Sequence, residues 1–128
     1  MATAAPIRWG ILGVGDVCEV KSGPGFQKAQ GSKLVAVMRR SVDKAEDFAA
    51  RHGASGFGAI RAFATAEELV AWEEVDAVYI ATPPGPHCDL AKLVLAAKKP
   101  CLIEKPLART AEESRLIVEV RRGRLRVR

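Results

Sequence analysis

Two patterns of apolar positions alternate along this chain. Short runs of β-branched and aliphatic residues are followed by stretches in which apolar positions recur three and four apart. The runs predict strands over residues 7–12, 33–38, 59–64, 75–81 and 100–103. The stretches predict helices over 16–29, 41–52, 65–72, 87–98 and 110–120. Residues 75–81 (VDAVYIA) are almost continuously apolar, as a parallel strand covered on both faces requires.

Punctuation residues support the pattern. Gly23-Pro24-Gly25 is expected to break the first helix and leave a short piece before it and a further turn over 26–30. Ser41 is placed to cap the second helix and Gly53 to stop it. Residues 53–58 contain three glycines and read as loop. Thr65-x-x-Glu68 and Thr110-x-x-Glu113 are capping boxes. Thr82-Pro83-Pro84-Gly85-Pro86 is a loop, and Gly123 is a stop signal.

Strands alternating with helices imply right-handed crossovers and an α/β fold, a doubly wound parallel sheet in a single domain. The expected division is an arm over 1–6, a domain over 7–120 and an Arg-rich tail over 121–128. The length of 128 residues suits one domain.

Charge changes the picture once it is located. The formal net charge is +5, but Arg121, Arg122, Arg124, Arg126 and Arg128 all lie in the tail. Without the tail, 15 basic residues balance 15 acidic ones, so no basic face for nucleic acid is expected. No apolar run reaches the roughly 20 residues of a membrane helix. Residues 1–6 lack a basic n-region, so no signal peptide is read. Cys18, Cys88 and Cys101 show no CxxC pair and fit reduced, buried thiols in a cytoplasmic protein. No cluster has metal-ligand spacing.

The first strand runs into Gly13-Val14-Gly15-Asp16-Val17-Cys18 and then a helix. This is the G-x-G-x-x-G/A fingerprint of a Rossmann-type dinucleotide site, with a small Cys third. The first Gly permits the tight turn and the second lets the backbone approach a pyrophosphate. The helix start offers N–H groups to phosphate. An ordinary glycine turn would also contain these residues; the strand–turn–helix context favours the nucleotide.

The end of the second strand selects the cofactor. NAD sites place an acid there for the ribose hydroxyls. This chain has Arg39, Arg40 and Ser41, with no carboxylate before Asp43. Two guanidiniums and a hydroxyl suit a 2′-phosphate, so NADP is expected in preference to NAD. Thr82-Pro83 and Glu104-Lys105-Pro106 follow the fourth and fifth strands. All these groups would line the carboxyl edge of the sheet, where doubly wound folds bind ligands.

Gly13-x-Gly15, Ala81-Thr82-Pro83-x-x-x-His87 and Glu104-Lys105-Pro106 together resemble the N-terminal domain of the Gfo/Idh/MocA oxidoreductases, over about residues 7–120. The resemblance implies an NAD(P)-binding domain followed by a substrate domain, acting on CH–OH groups of sugars, polyols or related alcohols. It implies that Lys105 sits by the nicotinamide and the substrate hydroxyl as the catalytic cation. It places His87 at the cofactor edge, as a positioning residue or as a capping and packing one.

The chain departs from the family pattern after the last predicted helix. The sixth strand is missing or incomplete, and the substrate domain with its His is absent. The expectation is therefore a nucleotide-binding domain that is inactive alone, with enzymatic activity left open. The alternative is a non-catalytic NADP-binding or partner-binding module. An unpaired sheet edge also predicts self-association.

Overall fold

The computed structural model describes residues 4–15, 18–53 and 58–123. Five strands form one parallel sheet: β1 (Ile7–Leu12), β2 (Ser32–Met38), β3 (Arg61–Phe63), β4 (Ala77–Ile80) and β5 (Cys101–Ile103). Their order is β3-β2-β1-β4-β5. The chain moves outward from β1 through β2 to β3, then crosses back to β4 and on to β5. The switch in direction lies between β1 and β4, which opens a crevice at their carboxyl ends.

Helices α1 (Gly23–Lys28), α2 (Val42–Gly53), α3 (Ala66–Ala71), α4 (His87–Ala96) and α5 (Ala111–Arg121) cover the sheet. Strand alternation divides the core into two layers. Ile11, Leu34, Val37 and Tyr79 pack with Phe48 of α2. Leu12, Val78 and Ile80 pack with Leu69 of α3, Ala91 and Val94 of α4 and Ile117 of α5. All four residues of β4 are buried, as its apolar run predicts.

Local chemistry sets the ends. Thr65 Oγ1 accepts from the Glu68 N–H at 3.3 Å, and Thr110 Oγ1 accepts from the Glu113 N–H at 3.1 Å. The predicted caps of α3 and α5 are therefore formed. Lys99 Nζ donates to the carbonyls of Val70 and Trp72 at 2.5 and 2.9 Å, satisfying acceptors left over at the end of α3.

The expected break at Gly23-Pro24-Gly25 is not a break. A π-helical turn over Cys18–Ser22 runs directly into α1, and only the hydrogen-bonding pattern changes there. Pro24 falls in the first turn of α1, at the junction with the π-helical turn, the part of a helix that tolerates proline best. Several predicted strands are longer than those formed: β3 is confined to 61–63 and β4 to 77–80. Helix α5 continues to Arg121, one residue into the predicted tail. The rest of that tail from residue 124, where the sixth strand is expected to be missing or incomplete, and most of the 53–58 loop lie outside the described residues.

No helix among the described residues is long and apolar enough to cross a membrane.

Candidate functional site

A cleft of about 790 Å³ opens at the carboxyl ends of β1, β2 and β4. Its floor is the turn after β1. The N–H groups of Gly13 and Val14 both donate to the Met38 carbonyl, at 2.8 and 3.2 Å, so the end of β2 holds the turn in place. Gly13 adopts φ +85°, and a Cβ there would overlap the Thr82 methyl group and come within 3.0 Å of its backbone N. Gly13 is thus required by its own neighbours. Gly15 is different, because nothing lies within 4 Å of where its Cβ would be. Its bare backbone borders open space, the condition for close approach by a phosphate. Asp16 and Val17, expected in the same turn, lie outside the described residues.

The walls carry the other predicted groups. Thr82 and Pro83 form one side. Thr82 Oγ1 is buried without a hydrogen-bond partner, a state that a polar ligand in the cleft would relieve. Arg39, Arg40 and Ser41 form the opposite side together with Lys44. Sequence reasoning missed Lys44. Its signal was its place in the first turn of α2, directly after the strand end that carries the two arginines. Asp43 does not line the cleft. An open glycine, an orphaned hydroxyl and a cationic wall fit a phosphorylated dinucleotide.

Glu104 and Lys105 share the same sheet edge but open into a second hollow of about 680 Å³ on the α1 side. Its apolar part is an aromatic row. Trp9 and Phe26 lie 4.8 Å apart between ring centroids, and Phe26 and Tyr79 lie 5.4 Å apart. The Tyr79 hydroxyl donates to Glu104 Oε2. Burial, with that carboxylate adding to it, pushes the Tyr79 hydroxyl up to about 12. Ser22 Oγ donates to the Tyr79 hydroxyl at 3.4 Å. Lys105 and Pro106 are exposed and joined by a cis peptide.

His87 lines neither hollow. Its side chain is fully buried at the start of α4. Nε2 lies 2.7 Å from the Thr82 carbonyl oxygen, and Nδ1 lies 3.0 and 3.2 Å from those of Pro106 and Leu107. The imidazole therefore bridges the loop after β4 and the loop after β5. Burial raises the thiols of Cys18, Cys88 and Cys101, the last to about 12, which suits inert packing. Among the described residues no cluster could hold a metal ion.

Known proteins match this arrangement. Residues 7–126 match the profile of the Gfo/Idh/MocA oxidoreductase family, NAD-binding Rossmann fold. An oxidoreductase of Formosa agariphila is 44% identical over 94% of this chain and 36% of its own length. The dTDP-3,4-didehydro-2,6-dideoxy-alpha-D-glucose 3-reductase of Saccharopolyspora spinosa is 35% identical over 96% of this chain and 36% of its own. A 3-ketoreductase of Actinomadura kijaniata, solved in complex with NADP and TDP-benzene, superposes with a TM-score of 0.84 at 28% identity, over 93% of this chain and 35% of that one. The chain thus spans about a third of the length of the proteins it matches.

Proposed function

This chain belongs to the Gfo/Idh/MocA oxidoreductase family as an NAD-binding Rossmann domain, and from that premise we propose that it is the NADP-preferring part of an enzyme acting on CH–OH groups of sugars, polyols or related alcohols. The observation that carries the cofactor preference is the cleft wall at the end of β2. Arg39, Arg40, Ser41 and Lys44 stand there, and among the described residues no carboxylate does. Guanidinium groups pair bidentately with phosphate, so this wall takes the 2′-phosphate of NADP. The relatives named for sugar substrates support the substrate class.

In this reading the turn over 13–17 holds the pyrophosphate, and Thr82 and Pro83 border the dinucleotide. A bound nicotinamide would supply or accept the hydride. Glu104, Lys105 and Pro106 would frame its reactive end, and His87, bonded to carbonyls of both loops, would fix them relative to each other. The Lys105 ammonium favours the alkoxide form of the substrate oxygen. The chain alone is inactive. Hydride transfer needs the carbon held close to the ring, and such positioning contributes about 7–11 kcal/mol. Nothing among the described residues encloses a substrate on the outer side of Lys105. We place the protein in the cytoplasm, with self-association through the uncovered sheet edge.

Calorimetric titration tests the cofactor reading. NADP(H) is expected to bind at least about tenfold more tightly than NAD(H), the scale of one charge-assisted contact. Equal affinities would overturn the preference. A sugar and polyol panel followed by NADPH absorbance should show no turnover; turnover that vanishes in Lys105→Ala would mean that this chain is a complete enzyme.

A further inference from the structure

One side chain links the two segments that the cofactor reading needs. Tyr79 lies on β4 with its ring buried between the sheet and α1, 4% exposed. In the sheet it stands beside Leu102 of β5, two residues before Glu104. Its hydroxyl receives a hydrogen bond from Ser22, at the end of the π-helical turn that follows the fingerprint, and passes one to the Glu104 carboxylate. Glu104 is also fixed through its backbone, whose N–H donates to the Ile80 carbonyl at 2.9 Å. The relay Ser22–Tyr79–Glu104 therefore joins the helix behind the phosphate turn to the residue next to Lys105.

We propose that Tyr79 is a positioning residue, which holds Glu104 against the wall of the second hollow and thereby sets Lys105 at the nicotinamide end of the cofactor. The inference rests on the NADP reading above and adds to it a residue whose ring otherwise reads as core. The geometry has a reason. A carboxylate beside an exposed lysine would otherwise pair with it, and two flexible side chains would then wander together. A phenol anchored in an aromatic row is rigid. By occupying Glu104, it leaves the Lys105 ammonium free for the cofactor and substrate.

Two ligands separate this role from a structural one. Adenosine 2′,5′-bisphosphate carries the phosphates but no nicotinamide, and NADPH carries both. In Tyr79→Phe, NADPH binding is expected to weaken by about three- to tenfold, up to the scale of one hydrogen bond to a charged group. Binding of adenosine 2′,5′-bisphosphate should be unchanged. Adding Lys105→Ala to Tyr79→Phe should cost no more than Lys105→Ala alone, because both act on one contact. Tyr79 is the only tyrosine of the chain, so ultraviolet titration reads its ionisation directly. Glu104→Gln should bring that ionisation down from about 12, because the carboxylate contact adds to the effect of burial. Equal losses for both ligands in Tyr79→Phe would make the residue merely structural and overturn the proposal. So would unchanged NADPH binding, or a tyrosine titration that ignores Glu104→Gln. A wild-type chain that binds adenosine 2′,5′-bisphosphate but holds NADPH no more tightly would overturn this inference alone. One that binds neither would overturn the cofactor reading and this inference with it.

Discussion

Glu19 and Arg51 meet across 32 residues of sequence in two hydrogen bonds, of 2.9 and 2.5 Å. Glu19 belongs to the π-helical turn behind the fingerprint, and Arg51 to the last turn of α2. Glu19 Oε2 also lies 2.9 Å from His52 Nε2, and the His52 ring stacks on Phe48 with centroids 4.1 Å apart. The segment that follows the phosphate turn is thus fastened to the helix that follows the cationic wall.

This pairing sets a pH dependence. The Arg51 hydrogen bonds, against some cost of burial, hold the Glu19 carboxyl down to about 2 from an ordinary 4.5. A carboxyl lowered in the folded state stabilises the fold above its unfolded value. That contribution is complete above about pH 4.5 and fades as the pH falls toward about 2. Arg51 is half exposed, so screening limits the contribution to about 1 kcal/mol or less. Glu19→Gln should lower stability by that amount at neutral pH, read by urea unfolding. The gap between variant and wild type should close near pH 2, and a gap that persists there would refute the mechanism.

The parts of this site that are continuous in sequence were legible. Gly13-x-Gly15 after an apolar run, and Arg39-Arg40 at the end of another, are local patterns, and the sheet order carries both to one cleft. The relationships that fasten the site were not legible. Glu19 with Arg51, Tyr79 with Glu104, and His87 with Pro106 are separated by 32, 25 and 19 residues. No periodicity reports such pairs, because they depend on how two elements dock. The mistaken break at Gly23-Pro24-Gly25 has a related cause. Local propensity counts Gly and Pro as breakers, whereas the position in the first turn of α1 makes the proline harmless.

The two fingerprint glycines should respond oppositely to substitution. Gly13→Ala places a Cβ at φ +85° and against Thr82. It should cost about 1–3 kcal/mol of stability. Gly15→Val adds a Cβ that meets nothing within 4 Å in the protein itself. It should change stability by less than about 0.5 kcal/mol, as a surface substitution does. It should nevertheless abolish NADPH binding, because the side chain takes the space of the phosphate. Thermal unfolding and NADPH fluorescence titration read the two effects separately. A Gly15→Val variant that binds normally would remove the pyrophosphate from this turn.

The cationic wall should yield in a graded way. Arg39 is the partly buried member, while Arg40 and Lys44 are exposed. Arg39→Asp should therefore cost NADP(H) binding the most, about 1.5–3 kcal/mol plus repulsion, and should favour NAD(H) by offering an acceptor to ribose. Lys44→Ala should weaken NADP(H) by about 1 kcal/mol or less, as a solvated cation does, and leave NAD(H) untouched. Calorimetry of both nucleotides with both variants decides the order. An equal loss for the two nucleotides would place these residues outside the 2′-phosphate contact.

The two sheet edges are protected unequally, and this predicts where the chain associates. At β3 the Arg61 guanidinium lies over the rings of Phe63 and Trp72, at 5.0 and 5.3 Å, so the edge strand carries a fixed charge. Charge on an edge discourages pairing with another chain. β5 consists of Cys101, Leu102 and Ile103, has no charge of its own, and has no partner on its outer side among the described residues. Leu102 is 50% exposed and borders the aromatic hollow formed by Trp9, Phe26 and Tyr79. Covering one leucine is worth about 1.5–3 kcal/mol, and each copy in a symmetric pair contributes its own. The chain should therefore associate only weakly through this face, at about millimolar concentration and at best at tens of micromolar, since association itself costs several kcal/mol. Leu102→Glu should shift sedimentation to a monomer while leaving the unfolding transition in place, since the residue supports little of the core. A wild-type chain that stays monomeric at all concentrations, or a Leu102→Glu variant that dimerises as well as the wild type, would rule this face out.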